Sequence, residues 1–137
     1  MNIMTYGNMK FYSIFALTVI ACANCEDVYK TKFDNVDVES IMKNERLLKN
    51  HLKCLLEDKA CIPELEELKK HIPEMMETCC AKCSEKHKEN GRKVALYMME
   101  HKPDIVKKVM DKYDPQREYV KRCSEQLTAS GIDITKL

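Results

Sequence analysis

Residues 44–56 read NERLLKNHLKCLL, and this stretch decides the fold class. Leu47, Leu48, His51, Leu52, Leu55 and Leu56 recur every three to four residues, the period of one face of an α-helix. Asn44 stands where an N-cap belongs, because its side-chain oxygen can accept from the free amides of a first turn. The same pattern extends outward. Asp37 can cap a short helix through Met42. Pro63 suits a first helical position, with Glu64, Glu66 and Glu67 in the opening turns and Lys69, Lys70 and His71 in the closing one. Ile62, Leu65, Leu68 and Ile72 give that helix its apolar face. Pro73 starts or kinks a further turn through Met75 and Met76, and Thr78 can cap the helix that follows.

Asn90-Gly91 reads as a break, after which Val94, Tyr97, Met98 and His101 form one stripe. Pro103 opens a helix with Ile105, Val106, Val109, Met110 and Tyr113, which Asp114-Pro115 ends. Tyr119, Val120, Cys123 and Leu127 suggest a last helix before a frayed tail from Ser130-Gly131. Residues 26–36 have no helical period and read as extended. Three Gly and four Pro are too few for the turns of an all-β domain. The expected fold is all-α: six or seven short helices, each burying one face in a common core.

At the N-terminus, Lys10 is the one charged residue among the first 23, and residues 11–23 are almost wholly apolar. Ala21-Cys22-Ala23 supplies the small residues of a signal-peptidase site. Residues 1–23 are therefore expected to be a signal peptide and 24–137 a secreted, extracellular helical domain. The apolar run is short for a bilayer, so no stable membrane insertion is expected. The chain carries 23 basic and 22 acidic residues, a net charge of +1. No cationic excess is available to displace counterions from phosphates, which argues against a nucleic-acid partner.

The chain has eight cysteines. With Cys22 removed with the leader, Cys25, Cys54, Cys61, Cys79, Cys80, Cys83 and Cys123 remain, an odd set for an oxidising compartment. Cys54 and Cys61 are close enough to bridge a helix end to the next helix start. Closing that loop is worth about 2.5 kcal/mol in the chain-entropy model, and a Cys80–Cys83 ring about 2 kcal/mol. Such rings staple local structure, so the global fold is expected to rest on apolar burial.

The CxxC at Cys80–Cys83 has three readings. A thioredoxin-like redox pair needs a preceding strand, and none is legible. Zinc, with His87 as a third ligand, needs reduced thiols and a fourth ligand, so no metal is expected. A structural disulfide needs neither. By spacing, Cys79 or Cys80 could each reach Cys83. Whichever of them bonds Cys83, the other is left over together with Cys25 and Cys123. One expectation is a disulfide-linked dimer through Cys25 or Cys123; others are a Cys25–Cys123 bond with the third thiol (Cys79 if Cys80 bonds Cys83) free, or three reduced thiols.

Met75, Met76, Met98, Met99 and Met110 suit either a filled core or an adaptable pocket, and periodicity does not choose. No Ser/His/Asp or paired-carboxylate arrangement stands out, and His51, His71, His87 and His101 are expected on different helices. No enzyme and no cofactor is expected.

The spacing Cys54-x6-Cys61-x18-Cys80-x2-Cys83 is joined by YKTKFDNVD at 29–37, NERLLKNHLKCLL at 44–56, ELKKHIP at 67–73, AKCSEKH at 81–87 and KYDP at 112–115. In these motifs the chain resembles the insect chemosensory protein family (OS-D-like), small helical carriers with four cysteines. The resemblance implies a bundle of about six helices around a hydrophobic channel, with disulfides Cys54–Cys61 and Cys80–Cys83. It implies a non-enzymatic carrier of apolar small molecules: fatty acids, long-chain alcohols, esters and pheromone components. It places Phe33 and Asp34 near the channel mouth and His51 where a tyrosine is typical. Leu68, Val94 and Met98 fall on faces that line the channel. Val106 belongs to a wall where the family often has Trp, and this chain has no Trp. The competing expectation is a secreted interaction or developmental factor with a filled core.

Overall fold

The computed structural model describes residues 33–59 and 61–137. The expected leader, Cys25 and the extended segment before Phe33 lie outside the described residues. Seven α-helices and a closing 3-10 turn follow one another: α1 Val38–Lys43, α2 Glu45–Glu57, α3 Pro63–Glu77, α4 Glu85–His101, α5 Pro103–Tyr113, α6 Glu118–Arg122, α7 Ser124–Ala129, then Ile134–Lys136. No strand occurs among the described residues, so the all-α expectation holds.

Local chemistry sets most of the boundaries. Asp37 Oδ1 accepts from the Ser40 amide at 3.0 Å and starts α1. Asn44 Oδ1 accepts from the Leu47 amide at 3.0 Å and starts α2. Pro63 and Pro103 occupy the first turns of α3 and α5, where a missing amide hydrogen costs nothing. Asp58 closes α2 in the left-handed region, and its carboxylate receives Lys69 of α3 and Lys112 of α5. Lys112 also donates to the carbonyls of Leu55 and Leu56 at 2.8 and 3.1 Å, while the Tyr113 hydroxyl donates to Leu55 O at 2.7 Å. The last carbonyls of α2 are thus satisfied from α5.

Several boundaries differ from the sequence reading. α3 does not close at His71 but continues through Pro73 to Glu77. Thr78 ends α3 rather than starting a helix, and Cys79 and Cys80 form a tight turn with φ of 51° and 62°. Ser84 is the cap of α4, accepting from the His87 amide at 3.0 Å. Asn90-Gly91 is no break, because α4 runs unbroken from Glu85 to His101. The last helix is two, α6 and α7. The tail is packed rather than frayed: Ile132 is buried with Leu127 and Cys123, and the Arg92 guanidinium donates to Ser130 O at 2.7 Å. His87 and His101 share α4 instead of standing on different helices, though their separation along it is about 21 Å.

Among the described residues three disulfides form: Cys54–Cys61, Cys80–Cys83 and Cys79–Cys123. The first two are the small rings expected. The third corrects the expectation for the leftover thiols. Cys123, with 1% of its surface exposed, is committed within the chain and does not link two chains or pair with Cys25. Cys79 is not a free thiol. The third bond spans 44 residues and joins the turn after α3 to the junction of α6 and α7, so long-range tying does not rest on apolar burial alone.

Candidate functional site

α1 packs on α2 and α4, α2 on α3 and α5, and α4 on α5. The 17-residue α4 lies against α1, α5 and the C-terminal cluster, and its side chains separate into three stripes. Tyr97 looks to α1, where its hydroxyl donates to Met42 O at 3.1 Å. Ala95, Leu96 and Met99 pack against the C-terminal cluster of Cys123, Leu127 and Ile132. Between these runs a stripe at spacings of three and four: His87, Asn90, Val94 and Met98. Its C-terminal half is apolar, with Met98 buried and Val94 half-buried; its N-terminal half is polar.

The polar half meets the chain entering α1. Phe33 is buried in a turn, and its ring lies 5.7 Å from the His87 ring, tilted by 49°. The neighbouring Asp34 carboxylate accepts from the Ser84 hydroxyl. Ser84 thus caps α4 through its oxygen and holds Asp34 through its hydrogen. Burial pushes the His87 imidazolium pKa below its ordinary value, and the Asp34 charge opposes that shift. Nδ1 of His87 and Nδ2 of Asn90 are buried without a hydrogen-bond partner among the described residues.

The other residues expected to line the site are distributed around this stripe. His51 is half-buried on α2, with Nδ1 2.8 Å from Leu47 O, so that ring nitrogen is engaged by its own helix. Leu68 on α3 and Val106 on α5 are half-buried. Direct side-chain contacts bring Phe33 and Asp34 to α4; His51, Leu68 and Val106 stand on their separate helices. Sequence reading missed Ser84 and Asn90. Asn90 was legible as the residue three after His87 and four before Val94, but the Asn-Gly pair masked it.

The CxxC follows a helix and a turn, not a strand, and both its thiols are in a disulfide. The zinc reading therefore loses its thiolates, and the thioredoxin-like reading lacks the strand it requires. No group of three or more His, Cys, Asp or Glu able to hold a metal occurs among the described residues. No helix among them is long and apolar enough to cross a membrane.

The family described as "Insect pheromone-binding family, A10/OS-D" matches residues 29–121. The chain is 45% identical over 126 residues to ejaculatory bulb-specific protein 3 of Drosophila melanogaster, an alignment covering 92% of this chain and 100% of the relative. It is 36% identical over 116 residues to allergen Tha p 1 of Thaumetopoea pityocampa, covering 83% of this chain and 92% of that one. Among solved structures, a chemosensory protein in complex with bromo-dodecanol superimposes with a TM-score of 0.65 at 31% identity, over 72% of this chain and 98% of the other. With its helices, its two small-loop disulfides and nearly its whole described length accounted for in this way, the chain belongs to the insect pheromone-binding family A10/OS-D, the chemosensory proteins.

Proposed function

We propose that the protein is a secreted carrier that holds a long apolar molecule in an internal tunnel. Fatty acids, long-chain alcohols, esters and pheromone components are the ligand classes. The observation that supports this most is the inward stripe of α4, which turns from apolar at Val94 and Met98 to polar at Asn90 and His87. On this reading Leu68, Val94, Met98 and Val106 form the apolar wall. Phe33 and Asp34 flank the entrance, and His51 stands at the rim.

The energetics suit such a site. A sixteen-carbon chain fully removed from water gains about 12 kcal/mol gross at about 0.8 kcal/mol per methylene. Micromolar binding needs about 8 kcal/mol. The difference absorbs the cost of ordering ligand and side chains. Discrimination by chain length is correspondingly shallow, about 1 kcal/mol per methylene.

The test is displacement of a fluorescent apolar probe by compounds from about eight to eighteen carbons. Affinity should rise with length to a limit set by the tunnel. A flat response, or a protein that stays empty in native mass spectrometry and binds no probe, would favour a filled-core interaction factor.

A further inference from the structure

Two polar atoms in the interior have no hydrogen-bond partner among the described residues: Nδ1 of His87 and Nδ2 of Asn90. Both belong to α4 and are three residues apart, so they share a face. Asn90 is only 6% exposed, and its orphaned amide nitrogen is closed off from bulk solvent. Buried amides without a partner are costly and rare in native proteins. Val94 and Met98 continue the same face for two further turns without a polar atom capable of strong hydrogen bonding. The orphaned pair thus ends an apolar track.

Resting on the carrier reading, we propose that His87 and Asn90 seat the hydroxyl head of a long-chain alcohol whose tail lies along Val94 and Met98. A hydroxyl carries one donor and acceptor lone pairs. Its oxygen accepts from the Asn90 amide, and its proton goes to the free lone pair of a neutral His87 ring. Burial favours that neutral ring. An ester carbonyl only accepts, and leaves the His87 lone pair unanswered. A carboxylate only accepts, so beside the His87 lone pair it requires the ring to take up a proton, which burial opposes. The Phe33 ring, 5.7 Å from the His87 ring, limits the room in which the imidazole can turn. The seat therefore selects a neutral hydroxyl over an acid of equal length.

The experiment compares decanol, chlorodecane and decanoate as competitors of N-phenylnaphthylamine on the full secreted chain at neutral pH. Wild-type protein should bind decanol about tenfold tighter than decanoate, and Asn90→Leu should raise the decanol-to-chlorodecane ratio of Kd about tenfold, the worth of one buried hydrogen bond. An unchanged ratio, with both compounds still displacing the probe, overturns the seat and leaves the carrier reading standing. Failure of every compound to displace the probe overturns both. Should Asn90→Leu not fold, nitrogen-edited NMR on wild-type protein decides. Decanol must move the Asn90 side-chain amide and His87 ring-nitrogen resonances more than chlorodecane does, and equal shifts overturn the proposal.

Discussion

Replacing both Cys79 and Cys123 by alanine removes the bond that spans 44 residues. In the chain-entropy model a loop of that length contributes about 4 kcal/mol, by restricting the unfolded chain. For a domain of this size, each kcal/mol moves Tm by about 4 °C, so the melt should fall by about 15 °C. The loss should also be uneven. Without the bond, α6, α7 and the tail are held by the buried Leu127 and Ile132, by Arg92 on Ser130 O and by Arg122 on Glu77 O at 3.2 Å. Amide exchange in Glu118–Arg122 and Ser124–Ala129 should rise more than in Glu45–Glu57, whose own ring at Cys54–Cys61 is untouched. The assay is a circular-dichroism melt with exchange measured by mass spectrometry, using Cys79→Ala alone as a control. The single and double variants should melt alike, because either one loses the bond. A shift under about 4 °C, or a non-reducing digest in which the Cys79 and Cys123 peptides run separately, would refute the reasoning.

Three further outcomes follow from other parts of the molecule. Leu68→Trp and Met98→Trp should weaken the longest ligands more than short ones, at an overpacking cost of about 1–3 kcal/mol in melts; a stably folded variant with unchanged binding places the residue outside the tunnel. Asp114, 5% exposed, accepts from the Tyr119 and Val120 amides at 3.2 Å each, so Asp114→Ala should lower denaturant stability by about 1–2 kcal/mol and Asp114→Asn by less. If the two variants are equally stable to wild type, those bonds do not anchor α6. His87 has a folded pKa below its unfolded value, so the unfolded chain binds more protons in the window between them. Stability from this group is complete above about pH 6.5 and is lost as pH falls through that window; His87→Phe should flatten that limb of the curve, and an unaltered slope counts against a desolvated ring.

Where the sequence was readable, short-range chemistry decided. Asp37, Asn44, Pro63 and Pro103 act within one turn of themselves, and each starts a helix where expected. Gly91 misled because Asn-Gly is a turn signal only when the flanks allow a turn. Here Ser84 caps the helix upstream, Asn90 is buried, and a side chain at Gly91 would meet nothing within 4 Å, so the residue rides an open face of α4. Its cost, about 1 kcal/mol against alanine, is overridden by packing on both sides. Thr78 misled because the left-handed backbone at Cys79 and Cys80 is not signalled by residues that normally avoid it. The Cys79–Cys123 bond was illegible for a different reason: its partners are 44 residues apart, and their meeting depends on how the intervening α4 and α5 pack, not on local spacing. The apolar half of the candidate site could be read from its period. The polar half could not, since an unpartnered amide is a property of the packed interior and not of spacing.

The turn after α3 has one more consequence. Adjacent residues there send covalent links in two directions, Cys80 to Cys83 and Cys79 to Cys123. All of α4 and α5 lies inside the larger ring. A protease that cuts any peptide bond in either helix therefore releases no fragment; the nicked chain keeps its mass plus one water and separates only when reductant is added. A single nick of that kind would pass unseen on a non-reducing gel, and the covalent chain would outlast the first cut made in either helix.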